Sequence, residues 1–144
     1  MKLGWLIETA LAPFAPGAIS VEGPDVLLPA KQTLAMALVL HEMATNAAKH
    51  GALRPGAEGR LAVRWRRLAD AGGADLALQW RESRPAEALA VPETGRGFGA
   101  RLISRCVAHD LRGRAAWRVE PGELVWEVIF PVPAAEPALE ALPV

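Results

Sequence analysis

The sequence predicts an α/β two-layer sandwich in which helices cover one face of a mixed, largely antiparallel sheet. Strand patterns occur in consecutive pairs, which favours antiparallel neighbours. Each helical pattern carries one apolar stripe, which favours burial against a single sheet face. The chain has 144 residues, of which 51% are hydrophobic and 22% charged. It is therefore long enough for one domain with a sizeable core, which we assign to residues 1–131.

The first half of the chain predicts a helix, a strand and a second, longer helix. Leucine and isoleucine recur at helical spacing over residues 3–12. Residues 18–22 form a short strand pattern, with 26–28 as a candidate continuation of the same edge. A long helical pattern covers residues 31–50 and ends at Gly51. Its first half is apolar on nearly all sides, which predicts a central place in the core.

The second half predicts four strands and one more helix. Apolar and polar side chains alternate in two segments around a Gly-Gly hairpin loop, and a Pro-Gly turn joins the last two strands. The elements are strands at residues 61–68, 76–82, 114–119 and 124–130, a loop at 83–96, and a helix at 98–111 with an apolar stripe of Phe98, Leu102, Ile103, Cys106 and Val107. Residues 132–144 are expected to be a flexible tail.

Composition argues against several classes of function. Sixteen basic and sixteen acidic side chains give a net charge of zero, which disfavours general electrostatic binding to nucleic acid or to a membrane surface. No apolar run approaches the ~20 residues of a membrane span, and the first residues lack the pattern of a signal peptide. Cys106 is the one cysteine, so neither an internal disulfide nor a thiolate metal cluster is expected. These features predict a cytoplasmic protein.

Four polar residues of the long helix share one face. Glu42, Thr45, Asn46 and Lys49 follow one another at i, i+3, i+4 and i+7. Such a face is exposed to solvent, or its side chains form hydrogen bonds with one another, or it lines a polar cavity. In the last case Asn46 offers an oxygen to Mg²⁺, which needs few protein ligands when phosphates supply the others. Lys49 then faces phosphate oxygens.

A glycine-rich segment lies where a loop meets the last helix. Gly95, Gly97 and Gly99 surround Arg96 and Phe98. Glycines let a ligand approach the backbone closely, and a helix N-terminus presents free N–H groups to an anion. The segment has no P-loop lysine, and it does not open a βαβ unit after a strand. Those two nucleotide-binding folds are therefore disfavoured.

A carboxylate is predicted on the core face of a strand. Glu82 shares its face with Trp80, and a buried carboxylate needs a partner. Two interpretations remain open. Glu82 accepts a hydrogen bond from an exocyclic amine such as the 6-amino group of adenine, or it is a strand-end glutamate that reaches solvent.

Together and in this order, the three motifs resemble those of the HWE histidine kinases. Residues 41–53, HEMATNAAKHGAL, resemble the N box of that family. Trp80-Arg81-Glu82 resembles the Trp-x-Glu of its first glycine box, and residues 97–103, GFGARLI, resemble its second glycine box. The resemblance extends over residues 3–131.

This resemblance implies the Bergerat fold of the GHKL ATPases and the chemistry of a two-component kinase. The γ-phosphoryl group of ATP would pass to a histidine on a separate dimerisation domain, and a response regulator receiver domain would be a further partner. Asn46 would hold Mg²⁺ and Lys49 would contact phosphate. Glu82 would accept a hydrogen bond from the adenine amine, and Glu42 would polarise or position the reacting groups. The nucleotide site implied for this sequence comprises Asn46, Lys49, His50, Glu82, Gly95, Gly97, Phe98, Gly99 and Arg101.

The sequence departs from the family pattern after Trp-x-Glu. The family continues with Gly-Gly-Pro, whereas this chain has Ser83-Arg84-Pro85. Because arginine side chains usually keep their charged groups in water, we expect Arg84 to point outward. Loss of both glycines keeps an alternative open, a degenerate Bergerat module that binds no ATP and acts as a docking or phosphorelay scaffold.

The three histidines do not have the context of a phosphate acceptor. His41 and His50 belong to the N box, and His109 lies late on the last helix. We therefore expect the 144-residue chain not to phosphorylate itself. A serine-directed anti-sigma kinase of the same fold is a third possibility, but it does not predict Trp-x-Glu.

Overall fold

The structure, a computed structural model, describes residues 1–14, 16–68, 75–84 and 98–133. These residues form three helices and five strands, with a 3₁₀ turn at Pro16–Ala18 and a π-helical turn at Cys106–Asp110. The helices are α1 (Leu3–Leu11), α2 (Ala30–His50) and α3 (Phe98–Arg105), and the strands are β1 (Ile19–Glu22), β2 (Arg60–Arg67), β3 (Asp75–Ser83), β4 (Arg114–Glu120) and β5 (Glu123–Pro131).

The five strands form one mixed sheet in the order β1-β2-β3-β5-β4. The β1–β2 pair is parallel, and the other three pairs are antiparallel. Along β2, Leu61, Val63 and Trp65 are buried while Arg64 and Arg66 are exposed. The buried face joins side chains of all three helices in one hydrophobic core. The predicted two-layer sandwich with a largely antiparallel sheet is confirmed.

Helix α2 lies on the sheet with one side outward. It begins after Pro29 and ends at Gly51, whose N–H donates to the carbonyl of Ala47. The helix takes the predicted central place in the core, but its first half is not covered on all sides, because Leu34 and Leu38 are 65% and 39% exposed. In a two-layer fold a helix has the sheet on one side, so its opposite face stays at the surface. The residues of α2 that pack inward are Ala35, Met36, Val39, Leu40, Met43, Ala44 and Ala47.

Other elements match their predicted positions to within a few residues at each end. Residues 26–28 do not continue the sheet, since Leu27 makes only an isolated antiparallel bridge with Lys2. The predicted helix at 98–111 ends in a π-helical turn, where the N–H of Leu111 donates to the carbonyl of Cys106. The hairpin loop at 70–74 and most of the loop at 83–96 lie outside the described residues. So does the predicted tail from residue 134 onward, whereas Val132 is fully buried.

Candidate functional site

The polar face of α2 is accessible. Glu42, Thr45 and Asn46 are half-buried and Lys49 is exposed, while Met43 on the other side is buried. Side chains at this spacing project from one side of a helix. The four predicted residues therefore form a polar face that a ligand can reach.

The first turn of α3 lies against this polar face. A Cβ on Gly99 would overlap the Oε2 atom of Glu42. The carboxylate thus occupies the space that any larger residue at position 99 would need. Glycine at this position lets the backbone of α3 come close to the middle of α2, which brings the N box and the second glycine box together.

The carboxylate of Glu82 is buried and is bonded on both oxygens. Glu82 is 4% exposed at the end of β3. Its Oε1 atom accepts a hydrogen bond from the backbone N–H of Ala52 at 3.0 Å, and its Oε2 atom accepts one from the indole N–H of Trp80 at 2.9 Å. Trp80 is itself fully buried. The prediction that Glu82 lies on the core face is confirmed, and the carboxylate is not a solvated strand-end group.

The surroundings of Glu82 offset only part of the cost of burying its charge. Burial raises the pKa of Glu82, because desolvation disfavours the charged carboxylate. The hydrogen bonds from Ala52 and Trp80 act in the opposite direction, and so does the positive charge of Arg84. The site therefore holds a carboxyl group that is costly to ionise but is surrounded by donors to its ionised form.

Arg84 does not point outward, and that prediction is wrong. The residue is 5% exposed, and its charge lowers the pKa of Glu82. Its backbone is also fixed, since the N–H of Arg84 donates to the carbonyl of Gly122 at 2.9 Å in the turn between β4 and β5. The end of β3 is thus held against that turn, which places residue 84 inside rather than at the surface.

Of the remaining predicted site residues, three lie at the surface and two lie outside the described part. Lys49 and His50 are exposed in the last turn of α2, and Arg101 is exposed on α3. Phe98 is the first residue of α3. Gly95 and Gly97 lie outside the described residues.

Sequence reasoning missed the partners of Glu82. The backbone N–H of Ala52 comes from a residue 30 positions away, and backbone donors leave no mark in a sequence. Gly51 was predicted only as the end of a helix, but a Cβ there would overlap the Oε1 atom of Glu82. The one available signal was the spacing of Trp80 and Glu82, which places both on the same face of a strand.

Among the described residues, no group of three or more His, Cys, Asp or Glu is arranged to hold a metal ion. No helix in the same part of the chain is long and apolar enough to cross a membrane.

Sequence comparison finds several relatives that are described as the same kind of protein. No protein-family model matches the chain. It is 33% identical over 130 residues to the blue-light-activated histidine kinase of Brucella ovis, and this alignment covers 88% of the chain and 26% of that protein. It is 39% identical over 115 residues to the blue-light-activated histidine kinase of Rhizobium johnstonii, and this alignment covers 79% of the chain and 32% of that protein. The chain therefore spans about a quarter to a third of the length of these relatives.

Comparison of structures finds a similar fold in a solved domain. The chain resembles the histidine kinase domain of the Erythrobacter litoralis EL346 blue-light-activated histidine kinase, with a TM-score of 0.66, 20% identity, and coverage of 90% of this chain and 59% of that one. The mixed sheet with helices on one face is the fold of the GHKL class of domains. Within that class, the sequence relatives are named histidine kinases, and they support the assignment of this chain as a sensor histidine kinase catalytic domain.

Proposed function

We propose that the chain is the ATP-binding catalytic domain of a two-component sensor histidine kinase of the HWE group. It would bind Mg·ATP and direct the γ-phosphoryl group to a histidine on a separate dimerisation domain. The observation that carries the proposal is the meeting of three motifs. The helix of the N box has Gly99 of the second glycine box against Glu42, and Ala52, two residues after the end of that helix, is bonded to Glu82 of the first glycine box.

The accessible face of α2 supports a metal and phosphate role. Asn46 is half-buried on that face and can offer its amide oxygen to Mg²⁺, which prefers oxygen ligands. Lys49, one turn further on, is exposed and can reach phosphate oxygens. Close approach of phosphate to the start of α3 is favoured by Gly99, and we assign the same role to Gly95 and Gly97.

Glu82 supports a role in reading the base. A carboxylate has about four lone-pair sites, and the described hydrogen bonds from Ala52 and Trp80 use one on each oxygen. The remaining capacity fits the exocyclic amine of adenine. We assign Phe98, His50 and Arg101 to the surroundings of the nucleotide.

Bound Mg·ATP would supply the transferable phosphoryl group and its charge-neutralising metal. In phosphoryl transfer the protein mainly positions groups and stabilises charge. Here Asn46 and Lys49 would orient the phosphates, Glu42 would help to place the reacting groups, and Glu82 would fix the base. The partners of such a domain would be a histidine-bearing dimerisation domain and a response regulator receiver domain, and we expect it to work in the cytoplasm.

Calorimetric titration of ATP into the 144-residue chain, with and without Mg²⁺, tests this proposal. We expect a dissociation constant between tens of micromolar and about 1 mM, or about −6 to −4 kcal/mol. Asn46→Ala should abolish most of the Mg²⁺-dependent affinity while the protein stays folded.

Leu38→Ala is the matched control for this titration. It changes an exposed residue of the same helix and should bind as the wild type does. Unchanged Mg·ATP affinity in folded Asn46→Ala would remove the metal role. No ATP binding by the folded wild type would instead favour the docking-module alternative.

A further inference from the structure

We propose that Trp80 is a positioning residue for base recognition, which orients Glu82 so that the chain selects adenine over guanine. The inference rests on the proposed function, because it concerns the base of the nucleotide bound there. It follows from the hydrogen bond between the indole N–H of Trp80 and the Oε2 atom of Glu82.

The position of the donor is fixed by the core. Trp80 is fully buried, and on the neighbouring strands it lies opposite Val63 and Trp126. An indole N–H is a donor only, so Trp80 can only donate a hydrogen bond to Glu82, whichever orientation the carboxylate takes. The ring therefore presents a rigid donor to a side chain that has three rotatable bonds.

The second oxygen of Glu82 is held by a donor from a different element, the segment that follows α2. The N–H of Ala52 reaches the Oε1 atom at 3.0 Å, and the absence of a Cβ on Gly51 leaves room for that oxygen. Two donors on two different elements thus define the plane of the carboxylate. A glutamate held in this way has already lost its rotamer freedom, so binding a ligand costs less entropy than for a free side chain.

A fixed acceptor distinguishes the two purines. Adenine carries an amino group at position 6, which donates, whereas guanine carries a carbonyl at the same position, which accepts. The remaining lone pairs of Glu82 match the former and repel the latter. If the carboxylate were free to rotate, it could turn away from guanine and the penalty would fall. Removal of the Trp80 donor should therefore reduce selectivity more than it reduces phosphate binding.

The experiment compares three ligands on the variant Trp80→Phe, which keeps an aromatic ring but has no N–H. Dissociation constants for Mg·ATP, Mg·GTP and Mg·tripolyphosphate are measured by calorimetry on the 144-residue chain. We expect Mg·ATP affinity to fall about tenfold, with little change for tripolyphosphate, so that the preference for ATP over GTP falls by a similar factor.

Trp126→Phe is the matched control. Trp126 is also buried on the inner face and lies opposite Trp80, but the described hydrogen bonds to Glu82 come from other residues. This variant loses the same amount of ring from the same core and should keep the wild-type preference for ATP. An equal loss for all three ligands in Trp80→Phe, or an unchanged preference, would overturn the positioning role. No ATP binding by the folded wild type would overturn the proposed function as well.

A measurement on the unmutated protein covers the case in which Trp80→Phe does not fold. The chain has five tryptophans, so the indole N–H resonances can be assigned individually by NMR. We expect the Trp80 indole resonance to shift when Mg·ATP is added and to stay in place with Mg·tripolyphosphate. Equal behaviour with both ligands would contradict the inference.

Discussion

Substitution of Gly51 by alanine tests the junction between α2 and β3. A Cβ at this position would overlap the Oε1 atom of Glu82 and would lie 3.1 Å from the Cα atom of Ala47. The backbone of Gly51 has φ −121°, outside the left-handed region that favours glycine, so we attribute the cost to these contacts. The Glu82 carboxylate would have to move and would lose its bond from Ala52.

The size of the effect follows from that bond. A hydrogen bond to a charged group contributes about 1.5–3 kcal/mol net. Replacing glycine by alanine at a permitted conformation returns about 0.4–1 kcal/mol through the unfolded state. The expected net loss is therefore roughly 0.5–2.6 kcal/mol of unfolding free energy, or about 2–8 °C in Tm for a chain of this size.

Denaturant unfolding of Gly51→Ala measures this loss, and hydrogen exchange at the Ala52 amide shows where it arises. Gly17→Ala is the matched control, because nothing lies within 4 Å of its added Cβ, and its stability should stay the same or rise by up to about 1 kcal/mol. In a Glu82→Ala background the effect of Gly51→Ala should largely disappear. Wild-type stability together with a still protected Ala52 amide would refute the reasoning.

Three further substitutions and conditions test the same site. Replacement of Arg84 by the Gly-Gly of the family pattern should raise ATP affinity about tenfold, roughly 1.4 kcal/mol, because it removes a buried side chain beside the base-reading carboxylate and lets the base approach the backbone closely. A loss of affinity would show instead that Arg84 contacts the nucleotide or is needed to keep Glu82 ionised. Gly99→Ala should leave Tm nearly unchanged, since only the flexible end of Glu42 must move, but should weaken Mg·ATP binding by crowding the start of α3, which calorimetry would detect. Burial raises the pKa of Glu82 above its ordinary 4.5, so the folded state binds more protons than the unfolded state just above that pH. The contribution of Glu82 to stability is thus complete below pH 4.5 and is lost as pH rises through the folded-state pKa, and denaturant unfolding from pH 4 to 7 should show a shallower decline for Glu82→Gln than for the wild type.

The sequence predicted those features that depend on local periodicity. The alternation along β2 and β3 defined both strands and placed Glu82 on the buried face, and the end of α2 at Gly51 followed from glycine chemistry. These predictions succeed because burial on a sheet imposes a period of two on the chain itself.

Features that depend on distant segments could not be predicted in this way. Arg84 is buried because its backbone bonds to Gly122, which belongs to a turn formed 38 residues later. A general preference of arginine for water gave the wrong answer, since it contains no information about that turn. Leu34 and Leu38 are exposed for a similar reason, because composition alone does not say how many layers cover a helix.

The cost of burying Glu82 explains why its neighbours should act as one unit. An ionised carboxylate that is 4% exposed is stable only if donors and positive charge offset its desolvation. Three groups do so in part, namely Ala52 after α2, Trp80 on β3, and Arg84 just after β3, beside the β4–β5 turn. Removal of any one group makes Glu82 more costly to keep ionised. The remaining groups then interact with a carboxyl group that is protonated more readily. Their substitutions should therefore be non-additive, with coupling energies of about 0.5–3 kcal/mol, and the Trp-x-Glu motif would act as a connection between sheet and helix as much as a contact to the nucleotide.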